Sequence, residues 1–278
     1  MAVALITGSS SGIGQLSALE LARRGHRVFA SMRNLASARF IEAKAEKERL
    51  PVETIQLDVT HADSVAAAIA KVAERAGRLD VLVNNAGFGS FGPLEDYSDE
   101  DLKYVFETNF FGALRVTRAA LPAMRAQRSG MIIMVSSISG LRTFPFLSAY
   151  SASKFALEAA SNGLRHELRP FGIRVILVEP GNFTTRAGVN MHVPKRIAEG
   201  VAQGTRDPLY DTLWKRFTAT SGIVPFGDAS DVARVIADAA EAENPEARYL
   251  VGKDAEEIVA LSPEDFERSM IKRMTLPN

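Results

Sequence analysis

Cysteine is missing from this chain of 278 residues. A disulfide framework, a thiolate nucleophile and a cysteine-bound metal are therefore excluded. Neither sign of charge is in excess, since 33 Lys and Arg balance 33 Asp and Glu. That balance gives no electrostatic reason to expect nucleic acid or an anionic membrane as partner. The apolar run after Met1 is too short for a signal peptide and lacks a basic leader. No stretch approaches the roughly 20 apolar residues of a spanning helix. A soluble, cytoplasmic chain is the expectation. Histidine is also sparse. His26, His61, His166 and His192 do not have metal-ligand spacing with one another or with acids, so no catalytic metal is expected.

What is present is apolar and rhythmic. At 46% hydrophobic residues the chain can bury one large core, and a single domain over 1–278 is expected. Short runs rich in Val, Ile and Leu, at 2–7, 27–31, 52–58, 79–85, 131–137, 173–180 and 247–252, read as strands covered on both faces. Helix-length segments lie between them, at 13–24, 61–76, 99–128, 151–169 and 229–242. The alternation predicts an α/β fold, a doubly wound sheet of seven parallel strands with helices on both faces. The stretch 181–228, with Pro194, Pro208 and Pro225, breaks the rhythm and reads as an insertion with short helices. Residues 262–274 read as a capped C-terminal helix, with Ser262 at the N-cap and Pro263 at the first helical position.

The first strand runs into "TGSSSGIG", residues 7–14. Gly8, Gly12 and Gly14 sit where that strand becomes a helix, with Ser9, Ser10, Ser11 and Ile13 between them. Bare backbone at a helix N-terminus suits a pyrophosphate, as in Rossmann-type dinucleotide folds. The spacing G-x-x-x-G-x-G differs from the usual G-x-G-x-x-G. The second strand ends Ser31-Met32-Arg33. An acid there would bind a ribose 2′-hydroxyl; a guanidinium instead suits a 2′-phosphate. NADP(H) is thus favoured, with NAD(H) left open, and the hydroxyls of Ser9, Ser10 and Ser31 are candidates for further bonds.

"SSISG" (136–140) closes the fifth strand and "YSASK" (150–154) opens the next helix. Tyr150 and Lys154, four apart, share one helix face. Ligands of open α/β sheets sit beyond the carboxyl ends of the strands, where Ser137 and Tyr150 can meet. An ammonium near a tyrosine is expected to lower its pKa, which suits proton transfer to or from a hydroxyl.

With "LDVT" (57–60), "NNAG" (84–87), Asn109 in "ETNFFG" and "PGNFTT" (180–185), these motifs resemble the short-chain dehydrogenase/reductase family. They occur in the family's order and cover about residues 2–185. The sub-pattern in "VFASMRN" (28–34) and "SKFALE" (153–158) resembles the hydroxysteroid and retinol dehydrogenase-like branch. The resemblance implies that Tyr150 is the general acid in reduction and the base in oxidation. It implies that Ser137 bonds the substrate oxygen and that Lys154 holds the nicotinamide ribose and biases Tyr150. Asn109 would shape a helix and help hold a water in a proton relay. Asp58 and Val59 would meet the adenine, and Asn85, Ala86 and Gly87 would support the cofactor edge. Pro180, Gly181, Phe183 and Thr185 would cover the nicotinamide. The cofactor part would then span about 1–180 and the substrate-covering insertion about 181–228.

Phe88, Phe91, Phe144, Phe146, Met191, Tyr210, Trp214 and Phe217 fall near these motifs. They favour a hydrophobic ketone or secondary alcohol, steroid-like or aromatic. The alternatives are an acyl-thioester or sugar-derivative ketoreductase, for which Arg186, Lys195, Arg196, Arg206, Lys215 and Arg216 would be the basic groups, and a non-catalytic NADP-binding sensor. The helices at 99–128 and 151–169 carry apolar residues beyond one buried face (Phe110, Phe111, Leu114, Phe155, Leu164). The resemblance implies that such helices pair between subunits in a homodimer or homotetramer.

Overall fold

The computed structural model describes residues 1–184, 191–203, 207–220 and 227–275. Seven parallel strands form one sheet: β1 (Val3–Ile6), β2 (Arg27–Met32), β3 (Val52–Gln56), β4 (Val81–Asn84), β5 (Gly130–Val135), β6 (Ile173–Pro180) and β9 (Arg248–Val251). Their spatial order is β3-β2-β1-β4-β5-β6-β9. The chain winds outward from β1 in one direction, then returns to β4 on its other side. That reversal opens a crevice beyond the carboxyl ends of β1 and β4, where ligands of such folds bind. A second pair, β7 (Phe183–Thr184) with β8 (Gly227–Asp228), brackets the insertion and was not expected from the sequence.

The strands are apolar throughout because both of their faces are covered. Ala4 and Ile6 of β1 join a layer with α1 (Gly12–Arg23) and α9 (Ala229–Glu241). Val3 and Leu5 join the opposite layer, with α3 (Ala62–Ala76), α5 (Ala113–Gln127) and α6 (Ser148–Leu168). Phe110 and Leu164 also pack against that second layer, so they belong to this chain's own core and not to a surplus apolar face. α2 (Arg39–Glu48) buries only Ile41 and Ala45.

The helical stretch expected over 99–128 is broken. α4 (Asp99–Phe106) starts on a reciprocal capping box between Ser98 and Asp101. A π-helical turn, Glu107–Gly112, separates it from α5. π turns mark functional positions more often than chance allows, and this one holds Asn109. The insertion forms α7 (Lys195–Gln203) and α8 (Leu209–Thr220). Two helices close the chain, α10 (Lys253–Ala260) and α11 (Pro263–Met274); Ser262 caps the latter by accepting from the Asp265 N–H at 3.1 Å. Among the described residues no helix is long and apolar enough to cross a membrane.

Candidate active site

A cavity of about 1430 Å³ occupies the crevice. Its floor is the loop from β1 into α1. Gly8 adopts φ +71°, and a Cβ there would lie 2.8 Å from the Ala86 Cα. A Cβ on Gly14 would strike the Gly8 carbonyl at 2.5 Å. Only glycine permits this tight crossing of the loop under "NNAG". Thr7 ties the two segments together: its hydroxyl accepts from the N–H groups of Asn85 and Ala86, each at 3.0 Å. Asn85 Nδ2 donates to the carbonyls of Thr7 and Gly8, at 2.9 and 3.2 Å. The N-cap of α1, Ser11, makes no side-chain capping bond, so the first N–H groups of the helix stay available to an anion. Gly8, Ser10, Ser11, Gly12, Ile13 and Gly14 all line the cavity. The loop therefore fits a dinucleotide pyrophosphate.

Two of the expected hydroxyls point elsewhere. Ser9 Oγ and Ser31 Oγ both donate to the Ile6 carbonyl at 3.0 Å and are fully buried. They lock the loop onto the strand ends and offer nothing to a phosphate, because the turn needs them inside. Arg33 is exposed and lines the cavity beside Asp58 and Val59. Burial works against the Asp58 carboxylate, but bonds from Thr60, with His61 and Arg33 nearby, hold it below the usual range.

Ser137, Tyr150 and Lys154 line the same cavity as the glycine loop. β5 delivers Ser137 in extended backbone, where its hydroxyl accepts from the Ser139 N–H at 3.1 Å. α6 delivers Tyr150 and Lys154 one turn apart. Lys154 is buried, its Nζ donating to the Val135 carbonyl at 2.9 Å and lying 5.8 Å from the centre of the Tyr150 ring. Burial pushes the Tyr150 phenol up, and the Ser137 hydroxyl acts in the opposite direction. The lowering expected from Lys154 is therefore not what this pocket produces. Burial pushes Lys154 itself down to about 8 against the influence of Glu158.

Asn109 does not reach the cavity wall. Its Oδ1 accepts from the Phe88 N–H at 3.0 Å, and its Nδ2 donates to the Phe88 carbonyl and to Ser153 Oγ, at 3.0 and 3.2 Å. With its amide committed to these partners, Asn109 clamps the loop after β4 to α6. Gly87 is held against it; a Cβ there would lie 3.0 Å from Asn109 Oδ1. Pro180, Gly181 and Phe183 line the far side of the cleft, and Asp254 fixes their loop by accepting from the Asn182 N–H at 2.7 Å. Thr185, also expected here, lies outside the described residues.

The aromatic residues divide. Phe88, Phe144, Met191, Trp214 and Phe217 line the cavity. Phe91, Phe146 and Tyr210 stand behind them: Phe91 and Phe146 pack on Trp214 with ring centres 4.1 and 5.8 Å away, and Tyr210 packs on Phe146 at 6.4 Å. Sequence reasoning missed the contribution of α10 and α11, which add Ile258, Leu261, Phe266 and Met270 to the wall. The capped start of α11 was legible, but nothing local tells which neighbour its apolar face meets.

The short chain dehydrogenase family matches this chain over residues 2–194, and the chain belongs to that family. It is 42% identical over 183 residues to 3-ketodihydrosphingosine reductase of Bacteroides thetaiotaomicron, covering 66% of this chain and 64% of the relative. It is 44% identical over 185 residues to human retinol dehydrogenase 8, covering 65% of this chain and 58% of the relative. The chain thus spans about three fifths of the length of these curated relatives. A metagenomic short-chain oxidoreductase solved with NADP superposes with a TM-score of 0.71 at 30% identity, covering 90% of this chain and 96% of that one.

Proposed function

We propose that this chain transfers hydride between NADP(H) and a hydrophobic ketone or secondary alcohol. The observation that carries the reading is that Ser137, Tyr150 and Lys154 open onto the cavity whose floor is the glycine loop. When bound, NADP(H) supplies or accepts the hydride. Gly8, Ser10, Ser11, Gly12, Ile13 and Gly14 would hold its pyrophosphate, Asp58 and Val59 its adenine, and Arg33 its 2′-phosphate. Tyr150, kept protonated by burial, would give its proton to the carbonyl oxygen in reduction and take it back in oxidation. Ser137 would hold that oxygen by a hydrogen bond. Lys154 would anchor the cofactor ribose, and its positive charge would stabilise the phenolate after proton transfer. The NADP complex of the metagenomic relative supports the cofactor choice.

The apolar lining supports a hydrophobic substrate, as do the names of the two curated relatives. None of the described basic residues of the insertion (Lys195, Arg196, Lys215, Arg216) lines the cavity, which weighs against a carrier-bound thioester. We further propose that the chain works as a homodimer or homotetramer. The functional reading is tested by following NADPH and NADH oxidation against a panel of neutral ketones, among them cyclic, aromatic and long-chain members. Oxidation of NADPH by at least one apolar ketone is expected. Cofactor binding with no turnover on any ketone would point instead to a sensor.

A further inference from the structure

The far wall of the cavity ends in a cation. On α11, Phe266, Ser269, Met270 and Arg273 line the space, and their spacing places them on one helix face. At 1.5 Å per residue, Arg273 lies roughly 10 Å along the axis from Phe266. The Phe266 end is the catalytic end: its ring meets Phe144 edge-on at 5.5 Å, on the segment joining Ser137 to Tyr150. The space between is apolar, bounded by Met270 and by Trp214 and Phe217 of α8. Arg216 of α8 donates from Nε to the Arg273 carbonyl at 3.1 Å, which fixes the backbone of that last turn.

Charge along the cavity is otherwise accounted for. Asp58 is bonded by Thr60, Asp254 by the Asn182 N–H, and Glu257 lies 3.7 Å from Lys253. Lys154 donates to Val135. Arg33 and Arg273 remain, at opposite reaches of the cavity, and neither side chain has a hydrogen bond or ion pair among the described residues. Arg33 belongs to the cofactor end. Arg273 is half-buried against apolar side chains, where a guanidinium without a partner is costly. Its planar fork matches one carboxylate, and no second described cation lines that end for a doubly charged group.

We propose that Arg273 is a specificity-determining residue that receives a carboxylate of the substrate. The site then takes an elongated oxo acid or the matching hydroxy acid, with an apolar middle roughly 10 Å long lying along α11. This rests on the reductase reading for the identity of the reacting group, but the anion site itself can be tested without turnover. Trp214 is the only tryptophan of the chain and lines the cavity, so its fluorescence reports occupancy.

The test titrates the full-length protein, with and without NADP, with dodecanoate and with dodecanamide, which share chain length and differ in charge. Dodecanoate is expected to bind about ten- to a hundred-fold tighter, the range of a charge-assisted pair. Arg273→Gln should erase that difference and leave the dodecanamide affinity unchanged, whereas Arg273→Lys should keep most of it. Equal affinities in the wild type overturn the proposal. So does an equal loss for both probes in Arg273→Gln, which would mark a packing role, and so does the absence of any quench by either. Failure of the reductase reading shows separately, as no NADPH oxidation with any ketone, neutral or carboxylated.

Discussion

Two single side chains carry the chemistry most directly. Tyr150 is half-buried, and desolvation pushes its phenol up, against the Ser137 hydroxyl, so under the proposed mechanism the proton needed in reduction would be in place before substrate binds. Tyr150→Phe keeps the ring against Lys154 and removes only that proton. Turnover should fall by about 10²–10⁴-fold, the usual share of a general acid. NADPH affinity, read by titrating cofactor fluorescence, should stay close to wild type. Near-normal turnover in the variant would remove Tyr150 from the acid role. In the proposed reading Arg33 sets the cofactor preference. Since Ser9 and Ser31 are turned inward to Ile6, the 2′-phosphate would be met mainly by Arg33. One charge-assisted contact corresponds to about ten- to a hundred-fold in affinity. Wild-type kcat/KM should favour NADPH over NADH by that margin, and Arg33→Ala should remove most of the preference through a raised KM for NADPH. Equal efficiency with both cofactors in the wild type would leave Arg33 as an exposed arginine and nothing more.

At the scale of elements, α6 does more than present Tyr150 and Lys154. One turn further on, Glu158 joins Glu179 at the end of β6 around Arg248 of β9. Arg248 Nη1 donates to Glu158 at 2.7 Å and also to Glu179. The Glu179 side chain is 1% exposed. Burial and the Glu158 charge push its carboxyl up to about 7, against the pull of Arg248. The guanidinium thus ties α6 to the edge of the sheet while neutralising two buried acids. Arg248→Ala would leave them uncompensated, at a cost of roughly 3–5 kcal/mol for breaking a buried pair; the low end applies because the arginine side chain is 36% exposed. The sign with pH follows from proton binding. Without Arg248 the folded chain holds a proton on Glu179 that the unfolded chain releases above about pH 4.5, so stability falls as pH rises. The variant's melting temperature should therefore drop further below wild type at pH 8 than at pH 5, and a deficit that is equal or larger at pH 5 would contradict this account. What could be read in the sequence follows the same physics of burial. The seven sheet strands were legible because strands buried on both faces are continuous apolar runs, and Gly8, Ser137, Tyr150 and Lys154 because their chemistry is local. α2 was not, since a helix that buries only Ile41 and Ala45 leaves a mostly polar sequence. The π turn was hidden inside a stretch of helical periodicity. Arg248 and Arg273 read as ordinary basic residues, because their meaning depends on acids or space brought up from distant parts of the chain.

For the molecule as a whole, two of the exposed aromatic residues stand on neighbouring helical elements. Phe111, in the π turn, is 45% exposed, and Phe155, on α6 directly after Lys154, is 42% exposed. Their two elements pack side by side, whereas Phe110 and Leu164 point into the second core layer. An exposed apolar pair on adjacent helical elements suits a self-complementary contact about a two-fold axis, in which the same patch meets itself. Such a contact would lie across the helical layer of α5 and α6 and leave the mouth of the cavity, at the carboxyl ends of the strands, open to cofactor. Sedimentation or solution scattering should therefore return a dimer or tetramer mass for the wild type. Placing like charges at the centre of the patch, with Phe111→Asp and Phe155→Asp together, should move the mass to that of a monomer at the same concentration. Circular dichroism should stay native, because neither side chain supports the core. A wild-type mass that stays monomeric at every concentration would rule out the assembly, and a double variant that remains oligomeric would place the contact on another face.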